Sequence, residues 1–155
     1  MVKKMHSLKE AGGTLLDFDP KSMREYFQQY TNDKHLERFV DLVERNAHDQ
    51  AIADFYTEDA SMQENNAPPR VGRDRLIAHE RQVLARAASV SSRCIRPIFV
   101  SGDLVVVRWQ FRFVWLDGKV TEMEELACQH WAGERIREER FFYDPAQLVP
   151  RTPDP

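Results

Sequence analysis

No apolar run in this chain approaches the roughly 20 residues that a bilayer-spanning helix needs, so a membrane-embedded protein is not expected. Excess positive charge is also lacking. Lys and Arg number 22 against 25 Asp and Glu, a formal net charge of -3. The arginines alternate with carboxylates and form no basic surface, and phosphate recognition needs clustered cations, so no nucleic-acid partner is expected. Cysteine is scarce: Cys94 and Cys128 are too few and too far apart for a disulfide framework or a CxxC metal site, and read as two small buried thiols in a reducing compartment. The five histidines, at 6, 35, 48, 79 and 130, show neither HxH nor HExxH spacing, which argues against a metal centre. Met1-Val-Lys-Lys-Met-His6 carries basic residues with no apolar stretch behind them and makes a poor secretory signal. A cytoplasmic protein without metal or cofactor is the expectation.

What is present fits one domain of ordinary size in 155 residues, with 42% hydrophobic content to fill a single core. Nine Phe, four Tyr and three Trp supply its aromatic surface, more than half of it from Phe99 onward. Residues 1–33 read as a peripheral extension. Gly12-Gly13 and Asp19-Pro20 interrupt it, and Met23, Tyr26, Phe27 and Tyr30 form one helical stripe. A helix capped by Asn32 or Asp33 follows, with Leu36, Phe39, Val40, Val43 and Ala47 on one face. Asn46 to Gln50 holds a bend before a short second helix with Ile52, Phe55 and Tyr56 inward. Ala60 to Glu64 reads as a strand, Asn65 to Pro69 as a loop, and a third helix begins after Gly72. On that helix His79 and Glu80 lie three and four residues beyond Leu76, so at least one falls on the apolar side.

The remainder reads as sheet. Ser92 to Val100 is a strand that Pro97 restricts to an edge or a bulge. Leu104 to Leu116 alternates cleanly, with Trp109, Phe111 and Phe113 facing one way and Arg108, Gln110 and Arg112 the other. Asp117-Gly118 signals a hairpin into Val120 to Trp131, and Arg135 to Tyr143 completes a meander. Three helices followed by an antiparallel meander make an α+β fold, because the sheet buries its aromatic face only when the helices pack across it. A curved sheet covered in this way leaves a cavity at its open end.

The order Phe55-Tyr-Thr-Glu-Asp-Ala-Ser-Met-Gln-Glu64, then Pro68-Pro-Arg-Val-Gly72-Arg-Asp-Arg-Leu76, then the closing strand Arg135-Ile-Arg-Glu-Glu-Arg-Phe-Phe-Tyr-Asp-Pro145, resembles the NTF2-like superfamily and its SnoaL-like and ketosteroid-isomerase-like members. The resemblance implies an NTF2-like cone: three N-terminal helices packed on a curved antiparallel sheet, here with an extra N-terminal helix. The domain then spans residues 34–148, between the extension 1–33 and a Pro-rich tail 149–155. Such cones enclose a pocket for a small apolar ligand. In ketosteroid isomerases a carboxylate ends the short first strand and shuttles a proton on carbon; Glu64 stands there, and Tyr56 matches a tyrosine supporting the oxyanion site. The family's two oxyanion donors, however, are replaced by Phe39 and Ala127. Losing both costs several kcal/mol of barrier, on the order of a thousandfold or more in rate, so the resemblance does not extend to steroid isomerisation. Gly72 to His79 also resembles the helix opening of the phenazine-pathway A/B proteins, which implies a pocket histidine at His79 and a pocket glutamate at Glu139.

These matches imply a cofactor-independent isomerase or cyclase acting on a small, apolar, carbonyl-bearing molecule. Glu64 or His79 would be the proton shuttle, Tyr56 and Gln129 the polarising donors, and Trp109, Phe111, Trp131 and Tyr143 the walls. Each has a plainer alternative. Glu64 would face solvent, His79 would be a backbone-bonded core histidine, and the aromatics would be core. Glu80 reads as a surface residue paired with Arg73 or Arg86. The strand Val120 to Trp131 has two phases; the favoured one turns Glu125, Ala127, Gln129 and Trp131 inward. It leaves Arg108, Gln110, Arg112 and His130 on a convex face that suggests a homodimer. A buried Glu139 would have its pKa raised by desolvation, unless Arg137 or Arg140 pairs with it. The rival readings are a non-catalytic binder with the same pocket, or a protein-interaction module with a filled cone.

Overall fold

A computed structural model describes residues 20–154, with the side chains of residues 26–32 left out. The Gly12-Gly13 break and the Tyr26, Phe27 and Tyr30 stripe lie outside this description. The chain divides into one unit ending at His35 and another running from Leu36 to Pro155.

Helix α1 spans Pro20–Glu44 without interruption. The expected start at Asn32 or Asp33 is therefore corrected. No Gly or Pro lies between Pro20 and Glu44 to stop propagation, and Pro is well tolerated in a first turn, so the extra helix and the first domain helix are one. Asn46, at φ 64°, ends the run, and α2 follows at His48–Phe55.

Strand β1, Tyr56–Glu64, starts directly at the end of α2, earlier than the expected Ala60. A short β2, Arg70–Val71, pairs back on it. Gly72, at φ 102°, turns the chain into α3, Arg73–Ala85, with Leu76 NH bonded to the Gly72 carbonyl at 3.0 Å; an L side chain would be strained at that φ. Strands β3 (Ala87–Ser101), β4 (Leu104–Trp115), β5 (Val120–Ala132) and β6 (Arg135–Phe142) form the meander. Asp117-Gly118 makes the β4–β5 hairpin as its sequence dictates, with Gly118 at φ 83°. The six-stranded order is β2-β1-β6-β5-β4-β3. All neighbours are antiparallel except β1 and β6, where the first strand returns parallel to the last. Pro97 sits on the edge strand β3, where the register shifts between Ile95 and Phe99.

The tail does not simply end regular structure after Tyr143. Asp144 caps a 3-10 turn, Pro145–Leu148, and Arg151 exchanges both backbone hydrogen bonds with Val120, at 2.8 and 2.9 Å.

Within the unit from Leu36, one hydrophobic cluster joins the end of α1, α2, Leu76 of α3 and the inward faces of β1 and β3 to β6. Alternation decides the phase of the meander. Trp109 and Phe113 are buried while Arg108, Gln110 and Arg112 are exposed. On β5, Glu125, Ala127, Gln129 and Trp131 point in, the phase favoured from sequence. Arg108 and Arg112 meet Glu124 and Glu122 across the strand pair, so these charges are matched locally. Ile136, fully buried on β6, faces Tyr56 and Trp131 in register. Ile136→Ala is expected to lower unfolding free energy by about 2–5 kcal/mol in a denaturant titration, and a loss below about 1 kcal/mol would show that this seam collapses around the void.

Candidate active site

The end of the sheet nearest the β4–β5 hairpin is hollow. A cavity of about 670 Å³ opens there, and the opposite end is plugged by aromatic rings. Phe39 is the hub of that plug. Its ring lies 5.8 Å from Phe55 and 6.2 Å from Trp131 in edge-to-face contacts, and 6.4 Å from Trp109. The sheet wall of the cavity is an aromatic ladder along β4: Trp109 stacks on Phe111 at 5.8 Å, and Phe113 on Trp115 at 5.1 Å. The helix wall comes from Val43, His48, Ile52, Leu76, His79 and Glu80.

Two carboxyl groups are sunk into the sheet wall. Glu139 is 4% exposed and lines the cavity. Tyr56 OH donates to its Oε2, and Gln129 Nε2 donates to its Oε1 at 2.7 Å. Gln129 Oε1 in turn accepts from Trp131 Nε1 at 3.0 Å. Alternation on β5 and β6 makes this chain possible, since Gln129 and Glu139 are cross-strand partners. Burial pushes the Glu139 carboxyl up to about 7, although the hydrogen bonds from Tyr56 and Gln129 pull it down. Two neutral donors do not replace the hydration of a carboxylate, so desolvation wins. Arg140 does not pair with it; that guanidinium binds Asn65 O and Asn66 Oδ1 instead.

Glu125, 9% exposed, lies on the same wall in register with Trp109. Among the described residues no side chain hydrogen-bonds to it. Desolvation first, then the charges of Glu139, Glu64 and Glu80, push its carboxyl up to about 8. The Glu139 charge is thus one of the causes that hold the proton on Glu125. Burial and the Glu139 charge push the Tyr56 hydroxyl well above the usual tyrosine range, so it remains a donor.

The cavity brings together seven of the nine site residues expected from sequence: Glu64, His79, Tyr56, Trp109, Phe111, Glu139 and Tyr143 all line it. Glu64 and His79 are half-buried, and the Glu64 charge contributes to raising the Tyr143 hydroxyl. Gln129 and Trp131, expected on the cavity wall, are not among the residues that line it. They point inward as the favoured strand phase requires, but Trp131 packs edge-on against Phe39 and Gln129 spends its amide on Glu139. Glu80 is likewise not a surface partner of Arg73 or Arg86. It lines the cavity and meets His48 Nδ1 at 3.0 Å, while Arg73 turns to Tyr56 O and Glu58, and Arg86 stacks over Trp115. His48, read as part of a helix bend, is 8% exposed and lines the cavity. One signal for it was present: His48 stands three, four and seven residues before Ala51, Ile52 and Phe55, on the inner face of α2. Among the described residues no group of three or more His, Cys, Asp or Glu is placed to hold a metal ion, and no helix is long and apolar enough to cross a membrane.

Comparison with known proteins agrees with this architecture. The profile of the SnoaL-like domain matches residues 36–139. The chain belongs to the SnoaL-like domain family. Among curated proteins no sequence match is found. Among solved structures, an NTF2-like protein of unknown function from Burkholderia pseudomallei aligns with a TM-score of 0.64 at 15% identity, over 76% of this chain and 93% of its own. A candidate SnoaL-like polyketide cyclase from a Jannaschia species aligns at 0.63 and 16% identity, over 76% and 88%. An LEH-like epoxide hydrolase from M. tuberculosis aligns at 0.62 and 14%, over 74% and 84%. Identities this low speak for the fold alone.

The raised carboxyls make stability depend on pH. The unfolded chain titrates its glutamates near 4.5, whereas the folded one holds these two protons up to about 7 and about 8. Between those limits the folded state binds more protons, so stability falls as pH rises. Glu125→Gln is expected to flatten the part of that fall above pH 7, leaving the variant with a higher denaturant midpoint than the parent at pH 9. Identical pH slopes for the two proteins would contradict the buried, proton-bearing state of Glu125.

Proposed function

We propose that this protein is a cofactor-independent isomerase or cyclase that moves protons on a small, apolar, carbonyl-bearing molecule. The observation that carries the reading is the pair of buried carboxyls on the sheet wall: one held by Tyr56 and Gln129, the other lining the cavity with no side-chain hydrogen bond among the described residues. Their raised proton affinities support a division of labour. Glu139, titrating near neutrality, takes a proton from the carbon next to the carbonyl, because general acid–base catalysis is most effective when the group's pKa lies near the working pH. Glu125, still protonated there, donates a hydrogen bond to the developing enolate oxygen, replacing the oxyanion donors absent at Phe39 and Ala127. Trp109, Phe111 and Tyr143 exclude water and hold the apolar body, while Glu64 and His79 stand as alternative proton carriers around the same cavity. The names of the polyketide cyclase and epoxide hydrolase that share the fold are compatible with such chemistry.

The test is exchange of the α-hydrogens of 2-tetralone in deuterium oxide, followed by proton NMR. The parent protein is expected to accelerate exchange, and Glu139→Gln to reduce the accelerated rate by about 10²–10⁴. The substitution of Phe39 and Ala127 for the family's donors favours a second reading, a binding protein without turnover. Binding of 2-naphthol with no acceleration for 2-tetralone or other apolar ketones would decide for it.

A homodimer is part of the proposal, now on different grounds. With Arg108 and Arg112 matched to glutamates, the support comes from Leu126 and Phe142, cross-strand neighbours that are 44% and 42% exposed. Light scattering after size exclusion is expected to give twice the chain mass of 18.2 kDa, falling to the monomer with Leu126→Lys. A monomer in the parent would remove the dimer from the reading.

A further inference from the structure

The proposed chemistry places its principal base and donor on the sheet wall, yet the helix wall carries a second set of polar groups tied together by hydrogen bonds. His48 Nδ1 meets Glu80 Oε1 at 3.0 Å, and His48 Nε2 meets Ser92 Oγ at 2.8 Å. Ser92 Oγ donates to Asn46 Oδ1 at 2.8 Å. The set joins three separate elements: Asn46 and His48 around the start of α2, Glu80 on α3 and Ser92 on β3. The His48 ring also packs edge-on against Phe111, with centroids 5.6 Å apart, which fixes its plane. Ser92 and His48 are both buried, and nothing in the hydrophobic core requires polar side chains there. Burying an imidazole, a hydroxyl and part of a carboxyl costs free energy that three hydrogen bonds only offset. A purely structural filling of this space with apolar side chains would hold the helices as well.

We infer that Glu80 is a second catalytic acid–base group, acting on the ligand from the helix side, and that His48 is the positioning residue that aims it. The assignment between the two follows from geometry. Both ring nitrogens of His48 already have partners, so the ring cannot exchange a proton with a ligand without giving one of them up. Glu80 lines the cavity, and among the described residues only one of its carboxyl oxygens is engaged. The inference rests on the proposed proton-transfer chemistry and extends it. A ligand lying on the β4 aromatic ladder is flanked by Glu125 and Glu139 on the sheet side and by Glu80 on the helix side. The proton balance closes without a co-reactant. Glu80, whose charge is among those felt by the two sheet-wall carboxyls, takes an α-proton from the helix-side face, and the C–H electron pair becomes the enolate. Glu139, in its acid form, gives its proton to that carbon from the sheet side, or to the far carbon where a double bond extends the enolate; a new C–H bond forms, and the carbonyl is restored. Glu139 is left as carboxylate and Glu80 as acid, and solvent resets the two. The net change is a proton shift from one face of the molecule to the other, which a single carboxylate on one wall cannot perform without the ligand turning over.

Two measurements test this, one independent of turnover. In the 2-tetralone exchange assay, Glu80→Gln is expected to reduce the enzyme-accelerated rate at least tenfold while the dissociation constant for 2-naphthol, an aromatic enol, stays within threefold. His48→Gln, whose amide still donates to Glu80, is expected to retain more of the rate than His48→Leu at comparable thermal stability. An unchanged rate in Glu80→Gln, or equal rates in the two His48 variants, would overturn the inference while leaving the sheet-wall chemistry intact. In the protein labelled with ¹⁵N-histidine, adding 2-naphthol is expected to move the His48 Nδ1 resonance through Glu80, and to leave it in place in Glu80→Gln. If naphthol binds and the resonance does not move in the parent, Glu80 does not touch the ligand, whether or not any ketone exchanges.

Discussion

The buried carboxyl of Glu139 is the constraint on which the rest of the site depends. A carboxyl 4% exposed needs donors, and the two it has come from different elements: Tyr56 where α2 passes into β1, and Gln129 on β5. Meeting both at once requires β6 to lie between β1 and β5, which is where the sheet places it, with β1 parallel on one side and β5 antiparallel on the other. The register shift between Tyr56 and Ser61 keeps Tyr56 aligned with Ile136 while the rest of β1 runs on beside Glu138 to Phe141. The Tyr56 carbonyl, at the edge of the shift, accepts from Arg73 and Arg135, each at 3.2 Å. A one-residue slip of β5 would turn Gln129 outward and orphan the carboxyl, so the polar chain and the hydrophobic pattern specify the same register.

The same phase that satisfies Glu139 carries Glu125 inward, and among the described residues no side chain hydrogen-bonds to Glu125. The proposed chemistry rests on this asymmetry. A hydrogen bond to a charged group contributes about 1.5–3 kcal/mol, whereas an unpaired buried ion costs far more, so an unpartnered carboxyl keeps its proton. Raised affinity at Glu125 and partial compensation at Glu139 separate the two titrations, leaving one carboxyl that still donates when the other accepts. The stability given up as pH rises is the cost of keeping such groups inside, and an apolar pair of similar volume would not incur it.

Most of the fold was legible because it rests on local rules. The alternation of β4, the Asp117-Gly118 hairpin, the glycine before α3 and the i, i+3, i+4 stripe on α1 each announce themselves within a dozen residues. The start of α1 did not, because the signals at Asp19-Pro20 and at Asn32-Asp33 are both valid N-terminus signals, and only helix propagation across the second one decides between them. The inward placement of side chains was legible where strand phase decides it, as at Glu139, Tyr56 and Trp109. The cavity lining was not legible at Gln129 and Trp131, because phase says which way a side chain points and not which end of the sheet is hollow. That depends on Phe39, Phe55 and Trp131 meeting from three elements.

Position along the cone also accounts for the divergence from the ketosteroid-isomerase pattern. Phe39 and Ala127, where the resemblance to that family puts its oxyanion donors, are both buried, and Phe39 lines the cavity. A tyrosine hydroxyl at 39 would be placed among Phe55, Trp109 and Trp131 without water, and an acid at 127 would add a further buried charge beside Glu125 and Glu139. Filling those places with a ring and a methyl closes the deep end of the cone. The polar groups that line the cavity include Glu125 and Glu139 on the sheet and Glu80 with His48 on the helices. Under the proposed chemistry, a matching ligand is then one whose carbonyl lies against the aromatic ladder of β4 and not among the rings of the plug.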